Sequence, residues 1–168
     1  DRVFHVHCSI GVALATETNL VNRVQQHWQM DPLNDLRMQA AQVNVSVSKA
    51  GTIRGVHFAD VPPGQAKYVY CPRGALLDVA IDIRVGSPTF GAVDSVILND
   101  QQRRAIYLAE GLGHAFFALE DDTTATYLCS TPYNPTAEHG ITPLDPALGL
   151  PWPTDLEPLL SEKDTAAP

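Results

Sequence analysis

Apolar and polar residues alternate along most of the chain, beginning at Gln42. From Gln42 to Ser48 the odd-numbered positions are valines and the even-numbered positions are polar and uncharged, which is the two-residue period of a β-strand with one polar face. Comparable runs follow at residues 52–58, 67–71, 75–84, 95–98, 105–108, 114–119 and 123–129. The pattern therefore predicts many short strands.

Turn-forming residues separate these runs. Pro, Gly, Asn and Asp recur at residues 61–64, 72–74, 86–88, 99–100, 110–111 and 121–122, where each favours a change of chain direction for its own backbone reason. Many short strands joined by such turns are typical of a β-sandwich or barrel. We therefore predict an all-β fold.

The strand predicted at residues 75–84 carries an unusual polar face. Its apolar positions include Leu77 and Val79, whereas the opposite face carries Asp78, Asp82 and Arg84. The pattern alone fits either a solvated outer face or a polar barrel interior that holds a ligand.

Four segments have a weaker pattern. Residues 21–30 and 33–41 fit a helix or a strand equally well. The prolines of residues 133–153 predict an irregular, extended path over the surface. The polar tail, residues 159–168, would ordinarily fray.

Length and composition favour one globular domain spanning residues 1–168. The chain has 168 residues, 45% hydrophobic and 18% charged, which suits a single hydrophobic core and argues against disorder. No apolar run is long enough to span a bilayer, and the first residues lack the pattern of a signal peptide. We expect no membrane association.

The charge and the cysteines restrict the class of partner and the compartment. The net charge of −8 has the wrong sign for binding a nucleic-acid backbone, although a few basic side chains can still bind a small anion. The odd number of cysteines, Cys8, Cys71 and Cys129, suggests no disulfide framework and no structural zinc site. The cytoplasm is the expected compartment.

Several polar residues within predicted strands are candidates for chemistry. His57 and His114 lie in strand-like segments, where a histidine is more often a buried structural residue than a catalyst. Lys67 occupies an otherwise apolar strand, where a buried ammonium is costly unless it binds something. Tyr127 has small neighbours on its own face, Ala125 and Cys129, which leave space in front of its hydroxyl.

A metal centre is disfavoured. A metal-binding cupin barrel needs His-x-His with a nearby carboxylate on one strand. If His57 were the first histidine of that motif, the second would be residue 59, which is alanine. His5 and His7 form such a pair, but no carboxylate lies within the next nine residues.

Blocks in a fixed order relate the chain to a known family. They are Gln42-x-Asn44-x-Ser46-x-Ser48, Gly51-x-Ile53-Arg54-Gly55-Val56-His57-Phe58, Gln65-Ala66-Lys67, Asp78-x-x-x-Asp82-Ile83-Arg84-x-Gly86-Ser87-Pro88-Thr89-Phe90-Gly91, Glu110-Gly111-x-Gly113-His114-Ala115-Phe116, Tyr127-x-Cys129, Tyr133-x-Pro135, Asp145-Pro146 and Trp152-Pro153. Over residues 42–164 the chain closely resembles the dTDP-4-dehydrorhamnose 3,5-epimerase family of cupins, of the type that serves actinobacterial deoxysugar pathways. The resemblance implies a cupin-type jelly-roll barrel.

The resemblance also implies a role for each matching residue. His57 would be the general base, Asp164 its carboxylate partner and Tyr127 the general acid. Lys67 and His114 would hold the sugar C4 oxygen, with Asp78 as a supporting carboxylate. The remaining matches, which would bind the diphosphate and the thymidine of a dTDP-linked 4-keto-6-deoxy sugar, are Arg54, Gln42, Asn44 and Tyr133.

The chemistry of these residue types suits that reaction. Removing a proton next to a ketone places charge on the ketone oxygen, which the Lys67 cation would stabilise. Imidazole is matched to proton abstraction near neutral pH, and a phenol can return a proton. No metal or redox cofactor is required. A regular strand would place Arg54 and His57 on opposite faces, so the backbone must deviate between them if both line the site.

Residues 1–41 depart from the family, whose members open with approximately Asp-x-Arg-Gly-x-Phe-x-Glu. The resemblance further implies a homodimer in which N-terminal strands cover exposed sheet edges. Inversion at C3, at C5 or at both stays open. So do two alternatives, namely a catalytically silent sugar-nucleotide-binding cupin and a cupin 3,4-ketoisomerase.

Overall fold

The computed structural model describes residues 40–168, and the regular secondary structure there is almost entirely β-strand. The strands are β1 Gln42–Ser48, β2 Ile53–Ala59, β3 Lys67–Arg73, β4 Ala75–Asp82, β5 Val93–Asn99, β6 Ala105–Leu108, β7 Leu112–Ala118, β8 Thr123–Cys129 and β9 Glu138–Gly140. A 3₁₀ turn, Pro146–Leu148, and one short helix, α1 Glu162–Thr165, follow. The predicted strands are confirmed, with their ends displaced by a few residues.

The strands form two antiparallel sheets. One has four strands in the order β1-β8-β3-β6, and the other has five in the order β5-β4-β7-β2-β9. Side chains from both sheets meet in a shared interior, where Val69, Leu108 and Ala125 of the first sheet pack with Leu76 and Phe116 of the second. The all-β prediction of the sequence is therefore confirmed.

The polar face of β4 points inward. Asp78 and Asp82 are 1% and 0% exposed, so the solvated alternative for this face is wrong. The opposite, apolar face is covered by the irregular segment that follows β8, since Trp152 and Leu150 pack against the cluster that contains Val79. Both faces of β4 are thus covered.

Residues 133–153 follow the predicted irregular path, with two local exceptions. β9 pairs with β2 through His57 and Gly140, and Asp145 caps the 3₁₀ turn by accepting a hydrogen bond from the Ala147 N–H. The indole N–H of Trp152 donates to the Pro143 carbonyl at 2.8 Å, which joins two parts of the segment, and Ile141 exchanges backbone hydrogen bonds with Val56 of β2.

The C-terminal tail is docked rather than frayed. The Ile53 N–H donates to the Leu159 carbonyl and the Leu159 N–H donates to the Gly51 carbonyl, both at 2.9 Å. Helix α1 follows, with the Ser161 hydroxyl as its N-terminal cap. As a result Asp164 is only 3% exposed.

Some sequence predictions lie outside the described residues. They concern residues 1–39, including residues 21–30, nearly all of residues 33–41, and the His5 and His7 pair. Within residues 40–168 there is no helix of the length and hydropathy needed to cross a membrane.

Candidate active site

The pairing of strands aligns polar side chains along the inside of the four-stranded sheet. Cys129 of β8 is the register partner of Gln42 on β1 and of Lys67 on β3. The next inward position on the same strand, Tyr127, lies opposite Asn44. Because paired residues in an antiparallel sheet share a face, these side chains enter the same space between the sheets.

A bulge in β2 brings two further residues to that space. Arg54 pairs with Phe116 and His57 pairs with His114, so three residue steps on β2 match two on β7. This is the deviation that the sequence required, and an extra residue of this kind is a β-bulge. Gly55 lies within it at φ +122°, a conformation that only glycine adopts readily.

His57 and Asp164 form a hydrogen-bonded pair. Nε2 of His57 lies 2.6 Å from Oδ1 of Asp164, and the second carboxylate oxygen accepts a hydrogen bond from the Ser161 hydroxyl at 2.8 Å. A proton on Nε2 leaves Nδ1 as the unprotonated nitrogen. Burial lowers the pKa of His57 below 6.5, although the hydrogen bond and charge of Asp164 oppose that shift. The imidazole is therefore neutral at pH 7 and able to accept a proton.

A second histidine–carboxylate pair lies deeper. Nε2 of His114 is 2.9 Å from one carboxylate oxygen of Asp78 and 3.1 Å from the other. Both residues are buried, at 7% and 1% exposure. Such a pair fixes the orientation of the imidazole ring.

Lys67 supplies positive charge to the cavity. Desolvation lowers the pKa of its ammonium, while the charges of Glu138 and Asp78 act against that shift. The charge of Lys67 in turn lowers the pKa of His57, so the two groups lie within electrostatic reach of each other. Within residues 40–168, the side chain of Lys67 has no ion pair.

Tyr127 keeps its proton near neutral pH. Burial raises the pKa of the phenol above 10, and the nearby charge of Arg54 acts in the opposite direction. A phenol in this state is able to donate a proton to a strong base such as a carbanion or enolate.

Three of the four residues expected to bind the nucleotide are linked to one another. The Tyr133 N–H donates to Oε1 of Gln42 at 2.7 Å, and Nε2 of Gln42 donates to Oδ1 of Asn44 at 2.8 Å. The Tyr133 ring is exposed, and the Lys163 ammonium lies 5.8 Å from its centre. Arg54 donates from Nε to the Ser48 hydroxyl at 3.3 Å.

The sequence reasoning missed two contributors. Ser161 both caps α1 and holds Asp164, and a serine three residues before an acidic residue is a recognisable helix-start pattern. Glu138 influences the pKa values of Lys67 and Tyr127 from β9. No pattern marks that strand, because it has only three residues within a proline-rich segment.

The site therefore combines a neutral, oriented imidazole, a cation and a protonated phenol. Comparisons with known proteins agree with this chemistry. Residues 21–168 match the family model described as dTDP-4-dehydrorhamnose 3,5-epimerase. The chain belongs to this family.

Curated relatives include enzymes of more than one stereochemical outcome. The chain is 60% identical over 127 residues to a dTDP-4-dehydrorhamnose 3,5-epimerase of Mycolicibacterium smegmatis, covering 76% of this chain and 62% of the relative. It is 56% identical over 128 residues to a dTDP-4-dehydro-6-deoxyglucose 3-epimerase of a Streptomyces species, covering 76% and 65%. The chain thus spans less than two thirds of the length of these relatives.

Solved structures of the family share the fold. The rmlC epimerase of Mycobacterium tuberculosis superposes with a TM-score of 0.77 at 50% identity, covering 88% of this chain and 72% of that one. ChmJ, a 3'-monoepimerase from Streptomyces bikiniensis solved with dTDP-quinovose, gives a TM-score of 0.76 at 49% identity, with the same coverage of both chains. The predicted cupin-type jelly roll is confirmed.

Proposed function

We propose that the protein is an isomerase that epimerises a dTDP-4-keto-6-deoxyhexose at C3, C5 or both. The observation that carries the proposal is the His57–Asp164 pair at 2.6 Å, within electrostatic reach of the Lys67 ammonium. The names of the relatives include 3,5-epimerases and 3-epimerases. The proposal therefore covers single and double inversion.

In the proposed mechanism His57 removes the proton from the carbon next to the C4 ketone. Nδ1 accepts it, and Asp164 stabilises the imidazolium through Nε2–H. Negative charge moves to the C4 oxygen, where the Lys67 ammonium stabilises it. His114, held by Asp78 through Nε2–H, donates to the same oxygen through Nδ1–H as an imidazolium. Tyr127 then donates a proton to the other face of the same carbon, and the centre is inverted.

The proposed binding residues suit an anionic nucleotide. Arg54 supplies a guanidinium for the diphosphate, whose oxygens match its fork of N–H donors. Gln42 and Asn44 supply uncharged amides from the inward face of β1. The exposed Tyr133 ring offers a flat surface for stacking on the thymine. Acid–base chemistry of this kind draws on side chains alone.

The proposal is tested by incubating the protein with dTDP-4-keto-6-deoxyglucose in deuterium oxide and following the sugar by NMR. Deuterium should enter C3, C5 or both, and the label at each carbon reports which centre is activated. His57→Ala should abolish the exchange. His139→Ala is the matched control, since His139 forms an exposed pair with Asp60 at 2.9 Å.

Two other results would each overturn the proposal. Binding of dTDP without exchange at either carbon would make the protein a silent nucleotide-binding cupin. Movement of the carbonyl to another carbon would make it a ketoisomerase.

We also propose that the protein acts as a homodimer. Within residues 40–168, β1 lies at one edge of the four-stranded sheet. Its outward side chains Val43, Val45 and Val47 are 59%, 64% and 61% exposed, which is an unusual apolar stripe for a free surface. Sedimentation velocity should find a dimer at micromolar concentration. Val45→Glu should weaken it, whereas Val85→Glu, at a position 94% exposed in a turn, should not.

A further inference from the structure

A series of hydrogen bonds ends on a cysteine that the proposed mechanism does not use. It runs from the Tyr133 N–H to Gln42, from Gln42 to Asn44, and from Nδ2 of Asn44 to Sγ of Cys129 at 3.5 Å. We call these four residues the amide relay. It connects the loop after β8 with the inward faces of β1 and β8.

The direction of the amide relay is set by its first donor. A backbone N–H can only donate, so the oxygen of the Gln42 side chain must face Tyr133. The amide nitrogen of Gln42 then faces Asn44, whose oxygen accepts. The nitrogen of Asn44 is left facing Cys129, and the relay is complete only if that position holds an acceptor.

Cys129 provides that acceptor. It is 1% exposed and lies between Gln42 and Lys67 in the register of the sheet. Burial raises the pKa of the thiol, although the charge of Lys67 and the hydrogen bond from Asn44 oppose the shift. The group therefore stays a neutral thiol near pH 7, whose sulfur lone pairs accept weakly.

We propose that Cys129 is a positioning residue for the nucleotide diphosphate, acting through Asn44 and Gln42. Each side-chain NH₂ uses one hydrogen within the relay and retains a second that can donate to an anion. Reversal of either amide would instead present a carbonyl oxygen to the phosphate, which is repulsive. This inference rests on the proposed function, since it assumes that these amides face a dTDP-linked sugar.

The test compares dTDP binding by titration calorimetry, with kcat and KM, in the full chain. Cys129→Ala removes the acceptor, and Cys129→Ser restores one. Cys71→Ala is the matched control, because Cys71 is 2% exposed in the same interior but donates to the Arg73 and Gly74 carbonyls instead.

Cys129→Ala should raise the dTDP Kd and the KM by about two- to tenfold, the loss expected for one modest hydrogen bond. We expect kcat to stay within about twofold of the wild type, since the proton-transfer groups are untouched. Cys129→Ser and Cys71→Ala should leave the Kd near the wild-type value. In an Asn44→Ala background, Cys129→Ala should have no further effect on the Kd, because its influence passes through Asn44.

Unchanged dTDP affinity in a folded Cys129→Ala variant would overturn the inference. So would an undiminished effect in the Asn44→Ala background. A ligand-free measurement separates these failures from failure of the proposed function. Side-chain NH₂ protons of Asn44 should exchange slowly with solvent in the wild type and faster in Cys129→Ala, and an equal rate in both would overturn the relay even if the wild type bound no dTDP.

Discussion

Oδ1 of Asp164 lies 2.6 Å from Nε2 of His57, although 107 residues separate them along the chain. The tail reaches this position because Leu159 forms a bridge with Thr52, the residue immediately before β2, through backbone hydrogen bonds to Gly51 and Ile53. Ser161 then starts α1 and holds the second carboxylate oxygen. The pair is therefore supported by backbone and side-chain bonds on the same short stretch.

Asp164→Asn should lower the rate of deuterium exchange by about 100-fold, because an amide does not stabilise the imidazolium and does not select the same tautomer. The Kd for dTDP should be unchanged. Exchange is measured by NMR in deuterium oxide, with Asp155→Asn as the control, since Asp155 is an exposed carboxylate that precedes the tail. Equal exchange in Asp164→Asn and wild type would mean that the pair is not part of the mechanism.

Asp164→Asn should also change the dependence of kcat/KM on pH. Desolvation lowers the pKa of His57 below 6.5, and the hydrogen bond and charge of Asp164 both raise it. A base whose pKa is lowered stays active as the pH falls, so the acid limb of kcat/KM should have its midpoint below pH 6.5. Loss of Asp164 removes both raising effects, and the midpoint should move to still lower pH. A midpoint that stays in place or rises would contradict the assignment of His57 as the base.

Tyr127→Phe should separate proton removal from inversion. The base is intact, so deuterium exchange should continue, whereas delivery of a proton to the opposite face should fall by about 100-fold. NMR of the sugar measures both quantities in one sample. Tyr70→Phe, on the neighbouring strand β3, serves as the control. Loss of exchange together with inversion would give Tyr127 a different role.

Asp82→Asn should destabilise the fold. Asp82 is fully buried and accepts hydrogen bonds from the guanidinium and backbone of Arg84 and from the hydroxyls of Ser87 and Thr89. Burial by itself would raise the pKa of this carboxyl, but the combined hydrogen bonds hold the pKa well below 3.8. We expect a loss of about 2–3 kcal/mol in the free energy of unfolding at pH 7, measured with urea.

The loss of stability in Asp82→Asn should depend on pH, because the pKa of Asp82 is lowered in the folded state. A carboxylate with a lowered folded-state pKa stabilises the fold above its unfolded pKa, and this contribution declines as the pH falls towards the folded value. The difference between wild type and Asp82→Asn should therefore shrink below about pH 4. Asp122→Asn is the control, since the Arg73–Asp122 pair is exposed and should contribute less than about 1 kcal/mol. A difference independent of pH would contradict the argument.

Gly55→Ala should disrupt the bulge that carries Arg54 and His57. A Cβ at this position would lie 2.5 Å from the His114 carbonyl oxygen, at φ +122°. We expect the free energy of unfolding, measured by thermal denaturation, to fall by about 3 kcal/mol or more. The loss has two causes, the steric contact of the added Cβ and the strain of a positive φ. Gly86→Ala isolates the second, because Gly86 also has a positive φ, +85°, but has open space around it. It should cost only about 1–2 kcal/mol. Equal losses would show that backbone conformation alone accounts for the effect.

The sequence alone predicted the strands and the polar row on β1. It did so because a strand with one buried face repeats every two residues, and Gln42–Ser48 follows that period without interruption. The family resemblance added the candidate site residues as a set. The pattern by itself could not choose between the two faces of β4, since Asp78 is acceptable in solvent and becomes acceptable in the interior only when His114 is placed against it, whereas the resemblance assigned Asp78 to the site.

Contacts between residues distant in sequence were decided by the tertiary structure. A polar tail such as residues 159–168 carries no local signal that it will dock, because its stability comes from two backbone hydrogen bonds to Gly51 and Ile53. The orientations of the Gln42 and Asn44 amides were likewise undetermined, since they depend on the Tyr133 N–H and on Cys129. The local period thus determined which residues share a face, and only the packing of the strands, the loop and the tail determined which of them meet.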